Sequence, residues 1–121
     1  MNENQFEAIK EYLSWHYQPG DEFHHGDCKG ADEEAHAIVR EFFPDVKIVI
    51  HPPVIRHKRA FCNGDEVRKE DEYLHRDENI VKETDYLIAA PRSSHEEKRS
   101  GTWYTVRFSR HMKKKQHILE R

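Results

Sequence analysis

The stretch Glu22-Phe23-His24-His25-Gly26-Asp27-Cys28-Lys29-Gly30-Ala31-Asp32-Glu33-Glu34-Ala35-His36-Ala37-Ile38-Val39-Arg40-Glu41-Phe42-Phe43 decides the fold. Glu22 to His25 reads as a short strand that ends at Gly26. Ala31, Ala35, Ile38, Val39 and Phe42 then recur at helical spacing, so Ala31 to Phe43 reads as a helix. Asp32, Glu33 and Glu34 sit in its first turn, where the helix dipole favours negative charge. Pro44-Asp45 ends it, and the β-branched run Val46 to Ile50 reads as a strand buried on both faces.

The same alternation extends in both directions. Phe6, Ile9, Leu13 and His16 form one stripe of a helix over Gln5 to Tyr17, which Pro19-Gly20 stops. Beyond Pro52-Pro53, Val54 to Glu70 has no convincing period and reads as a long loop, of a length that is often functional. A helix follows over Asp71 to Thr84, then a buried strand over Asp85 to Ala90. A second polar loop, Arg92 to Gly101, leads to an amphipathic helix over Thr102 to His111. Gln116 to Leu119 is a terminal strand. Strands alternating with helices imply parallel pairing, and such sheets collect ligands at the carboxyl ends of their strands.

Composition bounds the rest. The 121 residues, 1-121, fit one domain; 36% are hydrophobic and 36% charged, which suits a small protein with much surface. The net charge of -3 demands no nucleic-acid partner, although the end from Lys98 to Arg121 is basic. Cys28 and Cys62 form no CxxC pair and suit a reducing, cytoplasmic setting. No apolar run reaches membrane-spanning length, so no membrane partner is expected. The ten histidines match no zinc spacing, so neither a metal centre nor a cofactor is expected.

Two turns carry the candidate chemistry. His25, Gly26, Asp27, Cys28, Lys29, Gly30 and Asp32 surround the first, where glycines allow close backbone approach and a helix N-terminus offers unpaired N–H groups to a phosphate. Arg99, Ser100, Gly101 and Thr102 repeat that arrangement before the last helix, with Thr102 as the expected cap. Asp27, Asp32, Glu96 and Glu97 are the rim acids. Trp103 shares a stripe with Val106 and reads as core.

Four segments, "HHGDCKGADEEAHAI", "IHPP", "RDENIVKETDYLIAAP" and "RSGTWYTVRFSR", resemble the SLOG superfamily of Rossmann-like nucleotide-binding domains, whose members include LOG-type phosphoribohydrolases and DprA-like proteins. The closest likeness is to small stand-alone bacterial or phage members. The resemblance implies a Rossmann-like three-layer α/β/α fold with a mainly parallel sheet. It places Gly26, Asp27, Gly30, Asp32, Arg99, Ser100, Gly101 and Thr102 at phosphate-side turns and Arg76 facing ribose or phosphate. LOG-type enzymes carry a catalytic Glu after their second turn; here Trp103, Tyr104 and Thr105 stand there. The weak catalytic candidates left are Asp32, Glu96 and Glu97. The usual first strand is also missing, so either the chain manages with fewer strands or another subunit completes the sheet, and a homo-oligomer is expected. The expected function is binding of a nucleotide or nucleotide-derived signal; N-glycosidic hydrolysis and DprA-like DNA interaction are the alternatives.

Overall fold

The computed structural model describes residues 1–93 and 95–121. The elements follow in the order α1 (Glu3–His16), β1 (Glu22–His25), α2 (Ala31–Phe42), β2 (Lys47–Ile50), a 3-10 turn (Arg56–Lys58), β3 (Glu66–Val67), α3 (Tyr73–Glu83), β4 (Tyr86–Ala89), α4 (Gly101–His111) and β5 (Lys115–Ile118). The chain is therefore a small α/β, Rossmann-like protein. None of the described helices is long and apolar enough to cross a membrane.

Local chemistry sets the helix ends. Asn2 caps α1: its side chain accepts from the Gln5 N–H, while the Gln5 side chain accepts from the Asn2 N–H. This capping box starts the helix earlier than Gln5. Ser100, not Thr102, caps α4, accepting from the Trp103 N–H at 3.3 Å. A hydroxyl one residue outside the helix reaches the third amide; Thr102 is already helical and does not.

The strands pair only in parallel, as the alternation implies, but the described residues form two sheets instead of one. The first has the order β1-β2-β3, with His24 opposite Val49 and Ile50 opposite Val67. The second is β4-β5, with Ile88 opposite His117. β3 falls inside the expected loop Val54 to Glu70. Two residues show no period of their own, and their strand character comes from the partner β2.

Side chains alternate across each strand and so separate the layers. Phe23 packs with Ile9, Ala35 and Ile38 under α1 and α2. His24, its neighbour, meets His51 on the other side. There α3 and α4 pack on each other, and Trp103 and Val106 pack against Ala89. Trp103 is thus core, as its stripe implies.

β1 and β4 each keep one edge without a strand partner. α1 spans the break. Ile9 packs on Leu119 and Ile88 from the second sheet and on Ala35 and Phe23 from the first. Gln5, fully buried, donates through Nε2 to the Pro91 and Leu119 carbonyls at 2.9 and 3.2 Å. Its replacement Gln5→Leu strands both acceptors without water. A stranded buried group costs about 1–3 kcal/mol, so a loss of about 2 kcal/mol or more is expected in urea unfolding; an unchanged midpoint refutes the anchoring of α1 to the second sheet.

Candidate functional site

A cleft of about 1580 Å³ runs between the two sheets to the carboxyl ends of β1 and β4. The first turn, the start of α3 and the start of α4 all border it. Tyr73 opens α3, and its hydroxyl lies where a Cβ on Gly101 would fall, 1.5 Å from that position. Glycine at 101 therefore lets the N-termini of α3 and α4 adjoin. Gly30 caps α2 with a φ of 101° and supplies no side chain to its free amides. Three helix N-termini, each with its positive dipole end, thus meet at one rim.

Arg76, on the first turn of α3, ties them together. Its Nη1 donates to the Gly26 carbonyl at 2.7 Å and to Cys28 Sγ at 3.2 Å. The residue is 4% exposed, and its Nε meets no acceptor. Among the described residues no carboxylate lies within ion-pair distance of it. A buried guanidinium left this way is under-satisfied and presents a charge to whatever enters the cleft.

Two carboxyls face this charge. Asp32 turns back over its own turn and accepts from the Cys28 N–H at 3.1 Å, close to the Gly26 backbone. It fills the amide seat that the sequence offers to a phosphate. Burial raises its carboxyl, against the pull of the Cys28 amide and of Arg76. Asp77, beside Arg76 on α3, is pushed up to about 6 by burial, with Arg76 and a Thr105 hydrogen bond pulling the other way. A carboxyl that titrates near neutrality is suited to general acid or base chemistry. In the sequence Asp77 lies in phase with the stripe of Tyr73, Leu74, Ile80 and Val81 and carries no site signal; only the fold turns it into the cleft.

The other expected site residues divide. Lys29, Gly30, Ser100, Thr102 and Glu97 line the cleft with Gly26, Cys28 and Gly101. Asp27 does not line it. With φ 55° it turns inward, fully buried, accepts from Arg59 Nε and the Cys62 N–H at 2.9 Å each, and so pins the segment after the 3-10 turn. Glu96 is ion-paired with Arg110 and Arg107 on α4, which lowers its pKa, and stands outside the cleft lining. Arg99 is exposed and is not a lining residue. Burial raises the Cys28 thiol despite the contact with Arg76, so it is no activated nucleophile. His25 sits under α2 with its Nε2 3.0 Å from His36 Nδ1; burial takes it down to about 4.

The fold also assembles two groups of metal-ligating side chains that no spacing reveals: His25, His36 and Cys62, and His24, His51 and Glu83. Their donor atoms lie within 4.8 Å of one another in each group. β1 supplies one histidine to each because consecutive side chains point to opposite faces.

The raised Asp77 pKa has a definite sign in stability. The folded state holds its proton above the usual carboxylate pKa of 3.8, so between about pH 4 and 6 it binds more protons than the unfolded chain. That contribution is full at low pH and is lost as pH rises through 6. The variant Asp77→Asn is therefore expected to gain stability relative to the parent across this window. Urea midpoints at closely spaced pH values check it, and parallel curves refute it.

Comparison with known protein families, with curated proteins and with solved structures finds no match.

Proposed function

We propose that the chain binds a nucleotide or nucleotide-derived molecule in the cleft, with a phosphate on Arg76 and the adjoining helix N-termini. The observation that carries this reading is the buried guanidinium of Arg76, which has a free Nε and no carboxylate partner among the described residues. An anion of fixed geometry satisfies it, and the N-termini of α2, α3 and α4 add to the attraction. Asp32 and Asp77 stand ready to accept hydrogen bonds from ribose hydroxyls. The SLOG-like motifs point the same way: Arg76 occupies the position that the resemblance reserves for a ligand-facing arginine.

Asp77 favours a second reading, hydrolysis of the N-glycosidic bond. With its pKa near 6, it holds a proton over part of the physiological range and releases it over the rest. Such a group protonates a leaving base or activates water. It would stand in for the Glu that is missing after Thr102.

Calorimetry and native mass spectrometry with a panel of mono-, di- and cyclic nucleotides and their nucleosides test both. Binding is expected to require the phosphate. Arg76→Lys, checked for fold by circular dichroism, is expected to weaken it by about 10- to 100-fold, the worth of a charge-assisted hydrogen bond. Nucleosides that bind as tightly as nucleotides overturn the proposal. Release of free base that falls away in Asp77→Asn establishes the hydrolase reading; recovery of intact ligand rejects it.

A further inference from the structure

We propose that His24, His51 and Glu83 form a binding site for a divalent transition metal ion of the zinc type. The three residues come from β1, the end of β2 and the end of α3, and their donor atoms lie within 4.8 Å of one another. His24 Nδ1 and His51 Nε2 are 2.9 Å apart. A tetrahedral zinc with Zn–N bonds of about 2.0–2.1 Å sets two nitrogens about 3.3 Å apart. The pair therefore has to open by only a few tenths of an ångström.

Hydrogen bonding orients the lone pairs. His24 Nε2 faces Glu22 Oε1 at 2.9 Å, so that nitrogen carries the hydrogen and Nδ1 carries the lone pair. A carboxylate behind a ligating imidazole is the usual arrangement at metal sites, where it fixes the tautomer and raises basicity. His51 presents Nε2 to His24 Nδ1, a contact that one shared proton bridges and a metal ion would replace, and Glu83 Oε2 lies 3.9 Å from its Nδ1.

The surroundings hold the donors and balance the charge. Lys47 pairs with both Glu22 and Glu66, and Arg68 pairs with both Glu66 and Glu83. That chain fixes Glu22 and Glu83 on either side of the histidines. Both histidine side chains are 2–3% exposed, while that of Glu83 is 35% exposed and borders the cleft, which supplies the way in. Two histidines and one carboxylate leave a fourth position open to water or a ligand oxygen.

The other group, His25, His36 and Cys62, lacks these properties. His25 Nδ1 accepts from the Asp27 N–H at 3.0 Å, so its Nε2 must carry the hydrogen and donates to His36. Burial, with Asp27 beside it, pushes the Cys62 thiol up to about 12, away from the thiolate that a metal needs. This group serves as an internal control.

The test uses the full chain, stripped with a chelator and titrated with Co²⁺ in the visible range and with Zn²⁺ against a chromophoric chelator. One ion per chain is expected, with the absorption of a four-coordinate cobalt site and a rise in Tm on loading. Glu22→Gln is expected to weaken binding by about 10- to 100-fold, as loss of a hydrogen-bonded carboxylate behind a ligand does. Glu83→Gln, at a half-exposed position that leaves the core intact, and His51→Ala are expected to weaken it at least as much. His36→Ala is expected to bind as the parent does. Absence of stoichiometric binding overturns the proposal and leaves the pair bridged by a proton. Loss of binding in His36→Ala with retention in Glu83→Gln overturns it in favour of the other group. The metal is titrated alone, so the outcome is independent of the nucleotide panel.

Discussion

The break between β1 and β4 is the constraint on which the rest of the structure depends. Two parallel half-sheets without a shared ladder have no backbone reason to stay together. They are held by α1, whose Gln5 amide anchors it to the ends of β4 and β5 while its apolar face packs with Phe23, Ala35 and Ile38 of the first half. Gln5 suits the role because the primary amide donates two hydrogens while its oxygen closes the capping box of α1. The helix start and the junction of the halves are therefore one device.

The same break makes the cleft. Parallel strands bring their carboxyl ends, and the helix N-termini that follow, to one rim. A continuous sheet would close the space beneath that rim; the split sheet leaves it open down to α1. Arg76 sits where the three N-termini meet and is already committed to Gly26 and Cys28 through one nitrogen. The residue lines the cleft with its Nε still unpaired. The site is thus pre-organised on short helices instead of on the long loops.

Much of this was legible in the sequence, and the reasons for the rest are specific. Helix periodicity and the β-branched run Val46 to Ile50 are local signals, so the order of helices and longer strands could be read directly. β3 could not, because Glu66 and Val67 become a strand only by pairing with Val49 and Ile50. The two turns were legible as glycine patterns, but the inward rotation of Asp27 was not. It depends on a positive φ and on Arg59, 32 residues away. Asp32 and Glu96 show the same limit from opposite sides. One acid bends over its own turn, and the other pairs with Arg110 across α4. The histidine groups needed two facts together: the alternation of His24 and His25, and the meeting of the ends of β2 and α3.

Asp32 also changes what kind of phosphate site this turn is. In a glycine cradle the backbone amides themselves receive the phosphate. Here the Asp32 carboxylate already occupies the amide of Cys28, so a second anion in that seat would meet its charge. The first turn is consequently closed to direct cradling, and on the proposed reading recognition falls to side chains: Arg76 for the anion, Asp32 and Asp77 for hydroxyls. A buried cation beside two half-buried acids is stable only if their charges stay balanced. The raised pKa of both acids is the form that balance takes. On the proposed reading, an anion on Arg76 would remove part of the positive field that holds these carboxyls ionised and push both pKa values further up, so binding would bring proton uptake with it.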